Sequence, residues 1–167
     1  MSSMARTLVL LSTTFLLAAP AHAPADFDGI QCGSDIAKAL VGRKMANRPA
    51  AETEKAYQAI KLKNLGGDDL ENGFFDVVWE ICGDKYLLLE TRDTVVDAVK
   101  LPALSEAALP VSVKCKRNGQ DIADVIPIMK PAAKATEANV QQAWRIDFKR
   151  KKLIPLEGEG LICPSKE

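Results

Sequence analysis

The one histidine of this 167-residue chain, His22, lies in an N-terminal stretch that reads as a removable leader. Past that leader there is no imidazole, so a Ser–His–Asp or Cys–His catalytic set and a His-ligated metal are excluded by composition. Chemistry is left to carboxylates, lysines, tyrosines, hydroxyls and four cysteines. Gly66-Gly67-Asp68-Asp69-Leu70-Glu71-Asn72-Gly73 puts three carboxylates and an amide within five positions. A hard cation such as calcium could use those oxygens. The alternating ligand ladder of an EF-hand is absent, however, and paired glycines with Asp and Asn are what a solvated turn wants. Asp76 and Glu80 fall on one strand face about 13 Å apart along the strand. That exceeds the roughly 5–9.5 Å between the paired carboxylates of glycosidases. Glu90 or Asp97 on a neighbouring strand could close the gap; otherwise the two acids form an ordinary polar outer face. Lys149-Arg150-Lys151-Lys152 is the one dense charge run. On a hairpin tip it could dock an anionic surface, or it could discourage edge-to-edge strand pairing. Trp79 and Trp144 sit in apolar alternations and read as core. No Gly-rich phosphate loop, nucleotide fingerprint or nucleophile elbow occurs. The expectation is therefore no catalytic, cofactor-binding or metal-binding residue and no cofactor. Asp68, Asp69, Glu71, Lys149, Arg150, Lys151 and Lys152 are the candidate partner contacts.

Cys32, Cys82, Cys115 and Cys163 complete the reactive inventory, and their reading depends on compartment. Residues 1–25 have the parts of a secretory signal peptide: Arg6, an apolar run from Leu8 to Ala19, then small residues at alternate positions, with cleavage expected after Ala25. A twelve-residue stretch falls short of the roughly 20 needed to span a bilayer, and no other stretch is long and apolar enough. The protein is expected to be secreted or periplasmic. An even number of cysteines in an exported chain implies two disulfides, and four cysteines allow three pairings. Cys32–Cys82 with Cys115–Cys163 is favoured because each closes a loop of about fifty residues. A four-thiolate zinc site is disfavoured, because close CxxC pairs are missing and the spacings are 50, 33 and 48. Lys plus Arg and Asp plus Glu both number 22; Arg6 is the one charged residue of the leader, so the rest carries 21 against 22, a formal charge of −1. That balance argues against a nucleic-acid partner.

Residues 26–167 suffice for one small domain. Leu101–Pro110, closed by a proline at each end, divides it into lobes 26–101 and 111–167. A short helix from Asp35 to about Val41 is expected with Ser34 as its cap and Gly42 as its stop. Pro49 to Lys61 favours a helix by propensity, although Ile60 to Leu65 also alternates like a strand. From Phe74 the period becomes two, and three strands form an antiparallel meander to Leu101 with turns at Gly83-Asp84 and Arg92-Asp93. Asn118-Gly119 marks a hairpin between Val111–Arg117 and about Ile122–Met129, in which Pro127 implies an edge or a bulge. Trp144, Ile146 and Phe148 alternate in a further strand, which reverses near Arg150-Lys151. The fold class is α+β: short antiparallel sheets, meander plus hairpins, with one or two helices packed on a face and two disulfides.

Cys32-Gly33-Ser34-Asp35 followed by Leu40-Val41-Gly42 resembles the opening Cys-Gly-Ala-Asp…Leu-Val-Gly of a family of small bacterial peptidase inhibitors with a potato-inhibitor-like fold. The resemblance covers eleven residues; those inhibitors are about half as long, and their reactive loop has no counterpart here. It implies a structural role for Cys32 and the helix after it, and it raises the expectation of an inhibitor. The composite expectation is an exported, non-enzymatic binding protein, an inhibitor or sequestering partner of an extracytoplasmic hydrolase. The rival classes are a histidine-free carboxylate enzyme acting on glycans, with Tyr57 or Tyr86, Lys and Ser in support, and a structural envelope component.

Overall fold

A computed structural model describes residues 25–46, 48–103, 112–130 and 139–164. Residues 1–24, the part of the expected leader that holds His22, lie outside the described residues, as does most of the proline-bounded stretch 101–110. The architecture is mostly β, two antiparallel sheets and two short helices held by two disulfides. Strands β1 (Lys63–Asp69), β2 (Phe74–Ile81), β3 (Asp84–Thr91) and β4 (Thr94–Lys100) form the first sheet in sequential order. The second contains β5 (Val113–Arg117), β6 (Gln120–Met129), β7 (Val140–Asp147), β8 (Lys152–Leu156) and β9 (Leu161–Ile162), ordered β8-β7-β6-β5-β9.

Two-residue hairpin turns with positive φ at both centres match the right-handed twist of their strands. Asn118-Gly119 provides one between β5 and β6, at φ 51° and 78°. The β2–β3 turn is Cys82-Gly83, at φ 58° and 87°, one residue earlier than Gly83-Asp84. It carries Cys82 on the tip, where its disulfide to Cys32 ties the N-terminal segment to the sheet. Cys115–Cys163 joins β5 to the segment after β9.

The helices are shorter than propensity indicates. α1 spans Ile36–Leu40, and its cap is Asp35, whose carboxylate accepts from Lys38 N at 3.2 Å; the Ser34 hydroxyl instead donates to the Gln31 carbonyl. α2 spans Ala50–Ala56 behind Pro49 and gives way to a 3₁₀ turn over Gln58–Ile60. Lys61, left-handed at φ 51°, then turns the chain into β1. The meander therefore has four strands, and the Gly66–Gly73 loop is half strand.

The first sheet is covered on both faces, which explains why β3 does not alternate: Tyr86, Leu87, Leu88 and Leu89 are all buried. On one face Phe27, Ile30, Ile36 and Leu40 from the N-terminal helical layer pack on Trp79, Ile81, Tyr86 and Leu88. On the other, Phe74, Val78, Leu87 and Leu89 meet Ile126, Ile128, Trp144, Ile146 and Leu153 of the second sheet. Asp76 and Glu80 share that second face with Val78. It is an inter-sheet face and not a polar outer one, and Asp76 is 3% exposed. Pro127 pairs with Ala143 on the β7 side and lies beyond the last β5 pair, Val113–Val125, so β6 is locally an edge there.

Candidate functional site

The helical layer stops short of one end of the first sheet, and a cleft of about 550 Å³ opens there. Directly paired residues of adjacent antiparallel strands point to the same face. Asp69 of β1 pairs with Phe75 of β2, and Phe75 with Glu90 of β3. These three form one cross-strand row along the mouth. In the next row Gly67 pairs with Val77 and Val77 with Leu88. Gly67 contributes no side chain, because a Cβ there would lie 2.1 Å from the Asp76 carbonyl oxygen. Val77 and Trp79 supply an apolar floor, and Trp79 stands edge-on to Phe27 at 5.0 Å.

The facing wall comes from the start of the described chain and the segment before α2. Asp26 is buried; its carboxylate accepts from Ala46 N and pairs with Arg48. Arg43, also buried, donates to the carbonyls of Asp26 and Asp28 at 3.2 and 2.6 Å and fixes that segment. Tyr57 closes the network by donating to Asp28 at 2.8 Å, and burial with that bond raises its phenol. Arg43, Asp26, Arg48 and Tyr57 thus bind the parts of this wall to one another.

Glu90 differs. Among the described residues its carboxyl group makes no hydrogen bond or ion pair, and burial pushes that group up to about 7. Beside it Phe75, 36% exposed, is one of two large hydrophobic side chains open to solvent among the described residues. A half-buried acid poised near neutrality beside an open aromatic ring suits ligand binding or proton transfer.

The candidate contacts divide between two surfaces. Asp68 and Asp69 line the cleft. With Glu71 they also line a second groove, to which Phe148, the residue before the basic turn, contributes. Phe148 packs edge-on against Phe74 at 5.0 Å, so acidic and basic tips lie at the same end of the molecule. Two of the four basic side chains are already engaged. Lys152 Nζ donates to Asp97 at 3.0 Å across the sheets, and Arg150 pairs with Asp147 at 3.7 Å. Lys149 and Lys151 have no ion pair among the described residues. Glu90 lies on the face opposite Asp76, because Asp76 pairs with Leu89; Asp97 shares the Asp76 face but is spent on Lys152 and on Leu153 N. Neither joins Asp76 in a catalytic pair. Among the described residues no group of three or more His, Cys, Asp or Glu side chains could hold a metal ion.

Sequence reasoning gave Glu90 only a supporting place and passed over Phe75, Asp26 and Arg48. The available sign was a carboxylate that continues the wholly apolar run Tyr86–Leu89 in strand register. Among the described residues no helix is long and apolar enough to cross a membrane, and two disulfides fit an oxidising, extracytoplasmic compartment. No protein-family model, curated protein or solved structure matches the chain.

Proposed function

We propose that the protein is an exported binding protein, acting in the periplasm or outside the cell as an inhibitor or sequestering partner of an extracytoplasmic protein, with its site at the mouth of this cleft. The observation that carries the reading is the pairing of open Phe75 with Glu90 on a disulfide-anchored sheet. A carboxyl whose ionisation weakens the fold at neutral pH is what a site selected for binding tolerates. The resemblance around Cys32–Gly42 supports an inhibitor, and its role there is scaffolding: Cys32 is disulfide-bonded and α1 packs into the core. Asp68 and Asp69 belong to the contact surface, and the basic turn has a lesser part because Lys152 and Arg150 are internally paired.

The test is native mass spectrometry on tagged protein recovered from its own extracytoplasmic fraction. The wild type and a Lys149→Ser/Lys151→Ser variant should carry the same second protein, and Phe75→Ser should lose it. A partner held equally by Phe75→Ser places the contact elsewhere and defeats the proposal. A second reading, a carboxylate enzyme acting on glycans, draws on one specific feature. Glu90 sits two strands from Asp69 in the same row, about 10 Å between Cα atoms, and side chains could bring the carboxyl groups to the separation such enzymes use. Release of reducing ends by the wild type and not by Glu90→Gln would favour it.

A further inference from the structure

We infer that the cleft seats a cationic group on an apolar stem, an alkylammonium or guanidinium of the kind a lysine or arginine side chain presents, between Asp69 and Glu90 and over the ring of Phe75. The inference rests on the binding reading above and names its ligand chemistry. The row Asp69–Phe75–Glu90 places an acid on each side of an aromatic ring, all three directed to one face. Two strand spacings separate the outer Cα atoms by about 10 Å, room for a cation to sit over the ring and reach both acids. Cations over aromatic faces and charge-assisted bonds to carboxylates reinforce one another where water is partly excluded.

The floor of Val77 and Trp79 accepts an apolar stem. The charges facing Glu90 agree. Asp26 and Arg48 come from the far wall, Asp69 from β1 and Arg92 from the β3–β4 turn, while Asp68 and Asp76, paired with each other, point to the opposite face. Arg48 is neutralised by Asp26. Arg92, exposed at the rim, is the one opposing cation in this set. Since burial holds Glu90 near 7, a cation that needs it ionised binds better in base than in acid.

Isotope-labelled full chain is titrated with lysine- and arginine-centred pentapeptides, the norleucine analogue and n-butylamine, with backbone amide shifts as readout. The cationic probes should move the amides around Asp69, Phe75 and Glu90, and norleucine should not. Affinity should weaken at least tenfold from pH 8 to pH 5.5. In Glu90→Gln it should be weaker and flat with pH, and Asp69→Asn should weaken it again. Binding of n-butylamine as tight as that of the peptides keeps the seat and assigns it to a free amine, and tighter peptide binding assigns it to a polypeptide. Equal binding of norleucine, a flat profile in the wild type, or no shift with any probe overturns the cation seat. Retention of the native partner alongside such a failure leaves the binding-protein reading standing; loss of both removes it.

Discussion

Glu90 extends the apolar run of β3 with a carboxyl group, and burial raises that group from an ordinary 4.5 to about 7. Folding therefore favours the protonated acid. Below pH 4 the group is protonated in folded and unfolded chains alike and costs nothing. As pH rises from about 4.5 to 7 the unfolded chain ionises first and stability is lost; above 7 the loss is complete. At 1.36 kcal/mol per pH unit the loss reaches up to about 3 kcal/mol. Glu90→Gln is expected to be more stable than the wild type by up to that amount at pH 8 and equal to it at pH 3.5, read from urea midpoints. Equal midpoints at pH 8 contradict the burial argument. Asp97 is instead a structural acid. It accepts from Lys152 Nζ at 3.0 Å and from Leu153 N at 2.8 Å, linking the two sheets. Asp97→Ala strands a partly buried amide and should cost about 1–3 kcal/mol, whereas Lys149→Ser and Lys151→Ser should each stay within about 0.5 kcal/mol in the same titration.

At the scale of elements, β1 shows how a strand escapes pattern reading. Its sequence, Lys-Asn-Leu-Gly-Gly-Asp-Asp, has turn composition, yet it pairs with β2 from Lys63–Glu80 to Asp69–Phe75 with a register shift between Asn64 and Gly66. Glycine is required at 67 by close approach, since any Cβ meets the β2 backbone. Gly67→Ala should therefore cost about 1–3 kcal/mol and shift the amides of Asp76 and Val77; a neutral alanine would show that the β1–β2 pairing is looser than described. The outer edge of β1 is also closed: Asn64 N donates to Glu54 of α2 at 2.7 Å, and Gly66 N to the Asn64 side chain at 3.0 Å. Those bonds occupy donors that would otherwise recruit a foreign strand. By contrast β2 through β4 were legible, β2 from its alternation and β3 and β4 from the turn residues that bound them.

For the whole molecule, stability comes from three layers, helices on sheet on sheet, stapled by one disulfide in each part. Cys32–Cys82 and Cys115–Cys163 close loops of 50 and 48 residues. Chain entropy alone makes each worth about 4 kcal/mol. Replacing either pair with serine should lower stability by similar amounts in denaturant titrations. A much larger loss for Cys115–Cys163 would assign that bridge an added packing role, since both its cysteines are fully buried among Val125, Val140 and Leu161.

The sequence by itself determined the absence of histidine chemistry after residue 25, an even set of cysteines, the period-two strands from Phe74 onward and the Asn118-Gly119 hairpin. Those features are local, fixed by residue type and by spacing along the chain. What covers each face was decided only by tertiary structure. Periodicity marks Trp79 and Val78 as opposite sides of one strand, but not that helices bury one and a second sheet the other. That coverage turned Asp76 inward, left Phe75 open and desolvated Glu90. The cleft belongs to the same class, since its wall at Asp26 and Arg48 is more than forty residues from Glu90 in sequence. A carboxyl group's ionisation depends on what surrounds it in space, and residues that far apart meet only when the layers stack.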